Sequence, residues 1–379
     1  MTFHPKLIDL TLREGEQSSL CDFSTQDKIH IAQLLSKLGV DIIEMTSPAV
    51  SPRSREDLEK VVALGLSSRI AAHVRCNLGD ARAAIAAGVD AVHMFMASSK
   101  ALRQHSHGMD VDEIVERAIE VAEMVRQEAP GVEIRFSCED AFRTSAQDLL
   151  AIYRPLAQTG LFDRFGIADT VGTATPPKVR ARVQEIKLAL DCELGFHGHN
   201  DTGLAVANAL AAVEGGATHI DTCVLGIGER NGITALEDLV ACLYVDNPVA
   251  ARSRFELSHL TELAGYLAQC MKVDIPFNHC IVGSSAFTHK AGVHTKAVLA
   301  DPKAYEILDP ADFGRERTVM MAHRLTGWNV MSERAQQLGL VLSKDLLQSA
   351  ASKIKEMADR DSLSQQDVDH VLMTMVATA

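Results

Sequence analysis

Short apolar runs alternate with amphipathic segments over the first 250 residues of the chain. Segment 25–38 carries isoleucine and leucine at helical spacing behind Ser24, whose hydroxyl suits an N-cap. Three times a glycine follows such a segment and an apolar run follows the glycine, in Gly39–Glu44, Gly88–His93 and Gly216–Asp221. Glycine is favoured where a helix ends in a left-handed residue. The pattern therefore predicts repeated helix-to-strand units without hairpins.

Eight such units can be placed. The predicted strands are 6–12, 41–46, 69–75, 90–96, 132–138, 164–168, 193–199 and 218–224. The predicted helices are 25–38, 54–64, 79–87, 111–128, 146–158, 177–189, 203–214 and 234–244. Alternation with short loops requires a parallel sheet, and eight units favour a closed (β/α)8 TIM barrel over an open doubly wound sheet. No glycine-rich phosphate loop follows the first strand, which also argues against a dinucleotide fold.

The pattern loosens beyond residue 250, where prolines interrupt it. Helical spacing returns from about residue 331 to the end. We therefore expect an α/β barrel over 1–250, a linker or small subdomain over 251–330 and a C-terminal helical segment over 331–379. The part after the barrel is predicted to form a smaller, mainly helical subdomain.

Composition narrows the function classes. The 379 residues include 37 Lys and Arg against 50 Asp and Glu, a net charge of −13, with one Trp and four Tyr. Because there is no basic cluster and few aromatic rings are available for stacking, nucleic-acid binding is not expected. An acidic enzyme that binds anions must concentrate positive charge locally. This requirement draws attention to Arg13, His73, Arg75 and Arg135.

The cysteines and the apolar runs bear on the compartment. Eight cysteines are scattered without a Cys-x-x-Cys pair, which favours free thiols in a reducing compartment. No signal-peptide pattern precedes the first predicted strand, and no apolar run is long enough to cross a membrane. We expect a cytoplasmic protein without membrane association.

His197 and His199 form the strongest chemical motif. They end the predicted strand 193–199, and the turn signal 200–203 follows at once. Side chains at i and i+2 of a strand point the same way, so both imidazoles can bind one ion. Glu14, after the first predicted strand, is the carboxylate that would complete a divalent site with open positions. Each half of this motif, taken alone, more often has a structural role. The two histidines could simply be hydrogen-bonded, and Arg13 could form a local ion pair with Glu14.

Other polar residues follow the remaining strands. In a barrel the carboxyl ends of all strands meet at one face, so these side chains should converge. They are Asp9, Arg13, Glu44, His73, Arg75, Arg135, Ser137, Glu139, Asp169 and Thr170.

These motifs resemble the metal-dependent acyl-CoA condensing enzymes that include the isopropylmalate, citramalate and homocitrate synthases. The shared runs are Leu10–Gln17, Gly166–Gly172, His197–Asp201 and Leu225–Gly232. The homocitrate branch is the most similar, through Arg13-Glu14, Glu44–Pro48, His73–Cys76, Ser106–Gly108, Arg135–Asp140, Phe287–His294 and Leu325–Asn329. The resemblance covers nearly the whole chain and implies a condensation of acetyl-CoA with 2-oxoglutarate.

The resemblance also implies a metal centre. Glu14, His197 and His199 would hold a divalent ion, for which Zn, Mn, Mg and Co are all compatible with the donor set. The ion would polarise the ketone of the 2-oxo acid. Arg13 would stabilise the developing oxyanion. The alternative role for Arg13 is an ion pair with Glu16 or Asp9.

For the substrate, the resemblance places the distal carboxylate of 2-oxoglutarate on His73, Arg135 and Ser137. Arginine offers a planar fork that suits a carboxylate. Thr170 is assigned to the C1 carboxylate, although a strand-end threonine often only caps the next helix. Gln17, Glu44 and Glu139 are expected to orient substrate, with Glu139 also a candidate catalytic residue.

The base that deprotonates acetyl-CoA is not identified by the residues alone. In relatives, residues matching His294 and Tyr305 reach the site from the partner subunit, which implies a homodimer. A single histidine in an Ala-Gly-Val setting is otherwise more often structural.

Two positions depart from the family. Lysine-inhibited relatives carry carboxylates where this chain has His93 and Gly195, so weak feedback inhibition by lysine is expected. The same changes leave open a different 2-oxo acid, such as oxaloacetate or phosphonopyruvate. The rival hypotheses are an isopropylmalate synthase using 2-oxoisovalerate, a lyase of the same superfamily and a non-catalytic metabolite sensor.

Overall fold

Eight parallel strands close into a barrel in the computed structural model, which describes residues 5–290 and 292–377. The strands are β1 Lys6–Asp9, β2 Ile42–Thr46, β3 Arg69–Arg75, β4 Ala91–Ala97, β5 Glu133–Glu139, β6 Arg164–Asp169, β7 Glu193–Gly198 and β8 His219–Thr222. Each strand pairs with the next, and β1 closes on β8 with Lys6 opposite His219 and Asp9 opposite Thr222. The predicted (β/α)8 class is confirmed.

Helices follow the strands around the barrel. They are α1 Thr25–Leu38, α2 Pro52–Val62, α3 Leu78–Ala86, α4 Lys100–Ser106, α5 Val111–Glu128, α6 Ala146–Gln158, α7 Pro176–Ala189, α8 Ala205–Gly215, α9 Leu236–Asp246, α10 Pro248–Arg254 and α11 His259–Met271. The predicted N-cap of α1 is present, because Ser24 and Asp27 form a capping box. Gly39 ends that helix at φ 99°, and a Cβ there would lie 2.7 Å from the Arg254 carbonyl oxygen.

The first strand is shorter than predicted. β1 ends at Asp9, and the next residues turn back so that the amides of Arg13 and Gly15 both donate to the Leu10 carbonyl. A short 3₁₀ helix, Gly15–Gln17, follows. This turn brings Arg13 and Glu14 over the barrel rather than along a strand. The short helix α4 was not predicted.

The chain divides into two units, Met1–Ile275 and Pro276–Ala379. The first unit extends beyond the expected boundary at residue 250, because α10 and α11 belong to it. Arg254 at the end of α10 pairs with Asp41 at 2.5 Å and donates to the Pro5 carbonyl. Residues 1–4, 291, 378 and 379, which the predicted domain ranges include, lie outside the described residues.

The second unit is mainly helical. It contains α12 Gly292–Ala300, α13 Trp328–Gln337, α14 Lys344–Ala358 and α15 Gln365–Ala377, with a two-stranded sheet of β9 Thr288–His289 and β10 Thr318–Val319. Its core lies among the last three helices, with Met331, Ile354 and Leu372 fully buried. The unit runs on past residue 330, where a further boundary was expected.

Among the described helices, none combines the length and the apolar character needed to cross a membrane.

Candidate metal centre and substrate pocket

A cavity of about 230 Å³ lies over the carboxyl ends of the barrel strands. We call it the strand-end cavity. Eleven predicted site residues line it: Arg13, Glu14, Gln17, Glu44, His73, Arg135, Ser137, Glu139, Thr170, His197 and His199. Asp9 and Asp169, which were also expected at this face, do not line it; Asp169 instead accepts from the amides of Thr173 and Ala174. A larger outer cavity of about 700 Å³ shares Arg13, Gln17, His73 and Phe95 with it. The structure thus brings these side chains together from six separate segments of the sequence.

Glu14, His197 and His199 meet in this cavity. One potential ligand atom from each lies within 4.8 Å of the others, and all three residues are buried. The two Nε2 atoms are 3.2 Å apart, and His199 Nε2 lies 3.9 Å from Glu14 Oε1. Within residues 5–290 and 292–377, this is the one cluster of three such side chains close enough to share an ion. Two imidazole nitrogens and one carboxylate oxygen fit a divalent cation with open positions.

Asp221 on β8 orients the first of these histidines. Its Oδ2 lies 3.2 Å from His197 Nδ1. An ionised carboxylate can only accept, so Nδ1 carries the proton and Nε2 presents its lone pair to the centre. Burial would raise the pKa of Asp221, but Arg135 and His197 hold it below its usual range. Sequence reasoning missed Asp221, although an acid inside an apolar strand was a signal.

The charge states of Glu14 and His199 suit metal binding. Burial would raise the pKa of Glu14, but Arg13 and then the two histidines lower it to about 2. The Glu229 amide also donates to Glu14 Oε1 at 3.0 Å. Burial, followed by the neighbouring His197, lowers the pKa of His199 to about 3. Glu14 is therefore ionised and His199 is neutral near pH 7.

Arg13 links the metal centre to Glu44. Its Nε donates to Glu44 Oε1 at 2.7 Å, and its Nη1 donates to Glu14 Oε2. Burial would lower the pKa of Arg13, but the two carboxylates raise it above its usual value. The guanidinium is thus a fixed positive charge beside the triad. Its partners are Glu14 and Glu44, not the Glu16 or Asp9 that the alternative role required.

Arg135 is held differently from expectation. Both of its terminal nitrogens donate to Asp221, each at 2.9 Å, so the planar fork is engaged inside the barrel. Its Nε is buried without a hydrogen-bond partner. A Cβ added to Gly166 would lie 2.0 Å from Ser137 Oγ and 2.8 Å from Arg135 Nε. The absence of a side chain at Gly166 is therefore what allows these two polar groups to lie side by side.

The other predicted substrate residues contact the same cavity. His73 stacks on Phe95 at 4.4 Å, and burial, reinforced by Arg13, lowers its pKa to about 3. Thr170 Oγ1 accepts from the Asp140 amide at 2.8 Å, in the loop after β5. The N-cap of the next helix, α7, is Thr175, so Thr170 does not have the capping role considered above. Burial raises the pKa of Glu139.

Two arginines near the cavities have other partners. Arg75, an expected source of positive charge, pairs with Asp80 through two hydrogen bonds and lines only the outer cavity. Arg230, which sequence reasoning did not assign, lines the strand-end cavity. It donates to Asp201 and to the Thr170 carbonyl.

His294 and Tyr305 belong to the second unit. Their rings lie 4.4 Å apart, and Tyr305 is 47% exposed. Both side chains are exposed on their own unit.

The chain is similar to proteins of known activity over nearly its whole length. Residues 4–266 match the HMGL-like family model, and 281–362 match the model described as homocitrate synthase post-HMGL domain-like. The mitochondrial homocitrate synthase of Saccharomyces cerevisiae is 48% identical over 97% of this chain and 83% of its own. The cytosolic isozyme from the same yeast is also 48% identical, over 97% and 85%.

A solved structure supports the fold. Hydroxymethylglutaryl-CoA lyase from Pseudomonas aeruginosa aligns with a TM-score of 0.62 and 24% identity, covering 78% of this chain and 97% of its own.

Proposed function

The chain belongs to the homocitrate synthase family, and from that premise we propose that it condenses acetyl-CoA with 2-oxoglutarate to give homocitrate and CoA. The observation that carries this proposal is the strand-end cavity, where a potential metal triad and the unpaired donor Arg135 Nε lie together. The resemblance derived from the sequence motifs is confirmed by the family match.

Glu14, His197 and His199 are the residues that would hold the divalent metal ion. When bound, the ion polarises the ketone of the 2-oxo acid and offsets the negative charge that develops on its oxygen. Asp221 keeps the His197 ring in the orientation that exposes its Nε2. Zn, Mn, Mg and Co all remain compatible with this donor set.

The distal carboxylate of 2-oxoglutarate would accept from Arg135 Nε and Ser137 Oγ. The buried Nε is a donor without a partner, which a ligand carboxylate would satisfy. Neutral His73, beside them in the cavity, can donate one further hydrogen bond. Thr170 would contact the C1 carboxylate, and Gln17, Glu44 and Glu139 would orient the reactants.

Arg13 would stabilise the oxyanion, since its charge lies beside Glu14 and the cavity. A base removes a methyl proton from acetyl-CoA, and the resulting enolate carbon bonds to the keto carbon of 2-oxoglutarate. Water then cleaves the thioester, which releases CoA.

The base would come from a second copy of the chain. The rings of His294 and Tyr305 lie in contact at an interplanar angle of 34°, and both side chains are exposed on their own unit, as groups that act on a partner's cavity must be. We therefore expect a homodimer, with Glu139 as a further candidate for proton transfer because burial raises its pKa.

The relatives include mitochondrial enzymes and a cytosolic isozyme. For this chain we favour the cytoplasm. All eight cysteines are free thiols, as a reducing compartment maintains.

A thiol-release assay tests the proposed reaction. Purified protein is incubated with acetyl-CoA and a panel of 2-oxoglutarate, oxaloacetate, phosphonopyruvate, pyruvate and 2-oxoisovalerate, with and without chelator. We expect the highest kcat/KM with 2-oxoglutarate, loss of turnover on chelation and recovery on adding metal back. Turnover confined to 2-oxoisovalerate or pyruvate would reject the homocitrate reaction, and cleavage of homocitryl-CoA without condensation would favour a lyase.

Feedback inhibition by lysine is expected to be weak. An ammonium group needs an uncompensated carboxylate, and Glu44 already pairs with Arg13 while Asp221 pairs with Arg135. His93 and Gly195 add no negative charge to this region. We therefore expect inhibition only at lysine concentrations well above the KM for 2-oxoglutarate.

A gain-of-function variant sharpens the lysine test. A Cβ at Gly195 would lie 3.5 Å from Arg135 Cζ, an ordinary contact, so this position accepts a Cβ. The variant G195E should lower the lysine concentration needed for inhibition, while G195Q, an uncharged control of the same size, should not. Strong inhibition of the wild-type enzyme by lysine would contradict the prediction.

A further inference from the structure

His93 lies inside a chain of buried polar contacts that starts at Arg13. Glu44 accepts from Arg13 Nε with Oε1 and contacts His93 Nδ1 with Oε2 at 2.5 Å. On the other side of the ring, Arg164 Nη2 lies 3.0 Å from His93 Nε2. His93 is 1% exposed and Glu44 is equally buried. The two oxygens of Glu44 are thus divided between Arg13 and His93.

The direction of each hydrogen bond follows from the donors available. Arginine has only N–H donors, so His93 Nε2 must accept from Arg164. A neutral imidazole that accepts at Nε2 carries its proton on Nδ1. His93 Nδ1 therefore donates to Glu44. The ring is neutral, which agrees with the lowering of its pKa by burial.

We infer that His93 is a positioning residue for the condensation, since its Nδ1–H fixes the Glu44 carboxylate that in turn holds Arg13 beside the metal centre. This inference rests on the proposed function. Without the donor, Glu44 Oε1 would keep His73 Nδ1 nearby at 3.6 Å. Glu44 Oε2 would lose the one direct hydrogen bond that it makes to the part of the chain that the structure describes. Glu44 could then rotate, and Arg13 would rotate with it. The rate would fall although Arg13 and the metal ligands are intact.

A purely structural role makes a different prediction. Arg164 is fully buried, and its Nη2 also approaches Glu133 at 2.7 Å. If His93 serves only to accept from Arg164, its Nε2 matters and its Nδ1 does not. The two ring nitrogens therefore separate the two roles.

Substitution of His93 by asparagine or by glutamine preserves the function of one ring nitrogen and removes that of the other. The side-chain nitrogen of H93N can occupy the Nδ1 position and donate to Glu44. The longer side chain of H93Q can accept from Arg164 near the Nε2 position. H219Q serves as a matched control, because His219 is another buried histidine on a barrel strand that contacts Thr218 and Glu193 instead.

We expect H93N to have the higher kcat of the two variants and H93Q to have the higher melting temperature. We expect H93Q to lower kcat by roughly 10- to 100-fold, as misplacement of a catalytic group does, with little change in the KM for 2-oxoglutarate or in the Kd for added Mn²⁺. H93N should retain clearly more kcat than H93Q but melt at a lower temperature, because Arg164 loses an acceptor. H219Q should keep the wild-type kcat.

The controls distinguish the possible failures. Wild-type kcat in H93Q, a loss confined to KM, or the same ranking of H93N and H93Q in rate and melting temperature would overturn the role of His93. If H93N does not fold, the kinetics of H93Q alone test the role of His93: a loss in kcat supports it, and a loss confined to KM contradicts it. Absence of turnover by the wild-type protein would instead reject the proposed function.

Discussion

Glu14→Gln should reduce kcat/KM for the condensation by at least about 10³-fold, because Lewis-acid stabilisation is worth several kcal/mol and each tenfold corresponds to about 1.4 kcal/mol. The amide keeps the size of Glu14 and can still accept from the Glu229 amide. It loses the negative charge that a divalent ion requires and that pairs with Arg13. Metal content per subunit should fall together with the rate.

Glu16→Gln is the matched control for this prediction. Glu16 lies in the same short turn and pairs with Lys28 at 2.8 Å, but it is not a member of the triad. Its replacement should leave metal content unchanged and the rate near that of the wild type. Full metal content and full activity in E14Q would refute the metal centre proposed here.

The topology explains why the triad could be predicted from sequence. The loop after β1 and the end of β7 are far apart in the sequence, but parallel strands of a barrel present all their carboxyl ends at one face. Spacing of i and i+2 then places His197 and His199 on the same side of β7. Only the class of fold and the strand ends were needed for this prediction.

The partners of inward-facing side chains could not be predicted in the same way. Arg135 on β5 pairs with Asp221 on β8, and His93 on β4 lies between Glu44 on β2 and Arg164 on β6. Periodicity identifies which residues face the interior, but not which of them reach each other across it. These contacts depend on side-chain length and on gaps such as the one at Gly166.

The unpredicted pairing changes the role expected for Arg135. Its fork neutralises Asp221, so the charge of that carboxylate does not oppose a bound dicarboxylate. Burying an unpaired charge is costly, whereas a bidentate pair with good geometry offsets much of that cost. The remaining Nε then supplies a single directed donor to the cavity. In the proposed function, the distal carboxylate of the substrate would therefore be selected by one buried donor and its Ser137 neighbour rather than by a free fork.

Arg13→Lys should lower kcat by about 10²- to 10³-fold, the usual cost of losing one preorganised donor to an oxyanion. Lysine preserves the positive charge but offers a compact point charge, so it cannot reproduce the separate bonds from Nε to Glu44 and from Nη1 to Glu14. Because the group acts mainly on the transition state, the KM for 2-oxoglutarate should change much less than kcat. Metal content should stay near one ion per subunit, which separates this effect from loss of the ion.

Arg75→Lys is the control, since Arg75 is an exposed residue that pairs with Asp80 outside the strand-end cavity, and it should leave kcat unchanged. If R13K loses its metal, or if its deficit appears only in KM, Arg13 supports binding rather than the chemical step.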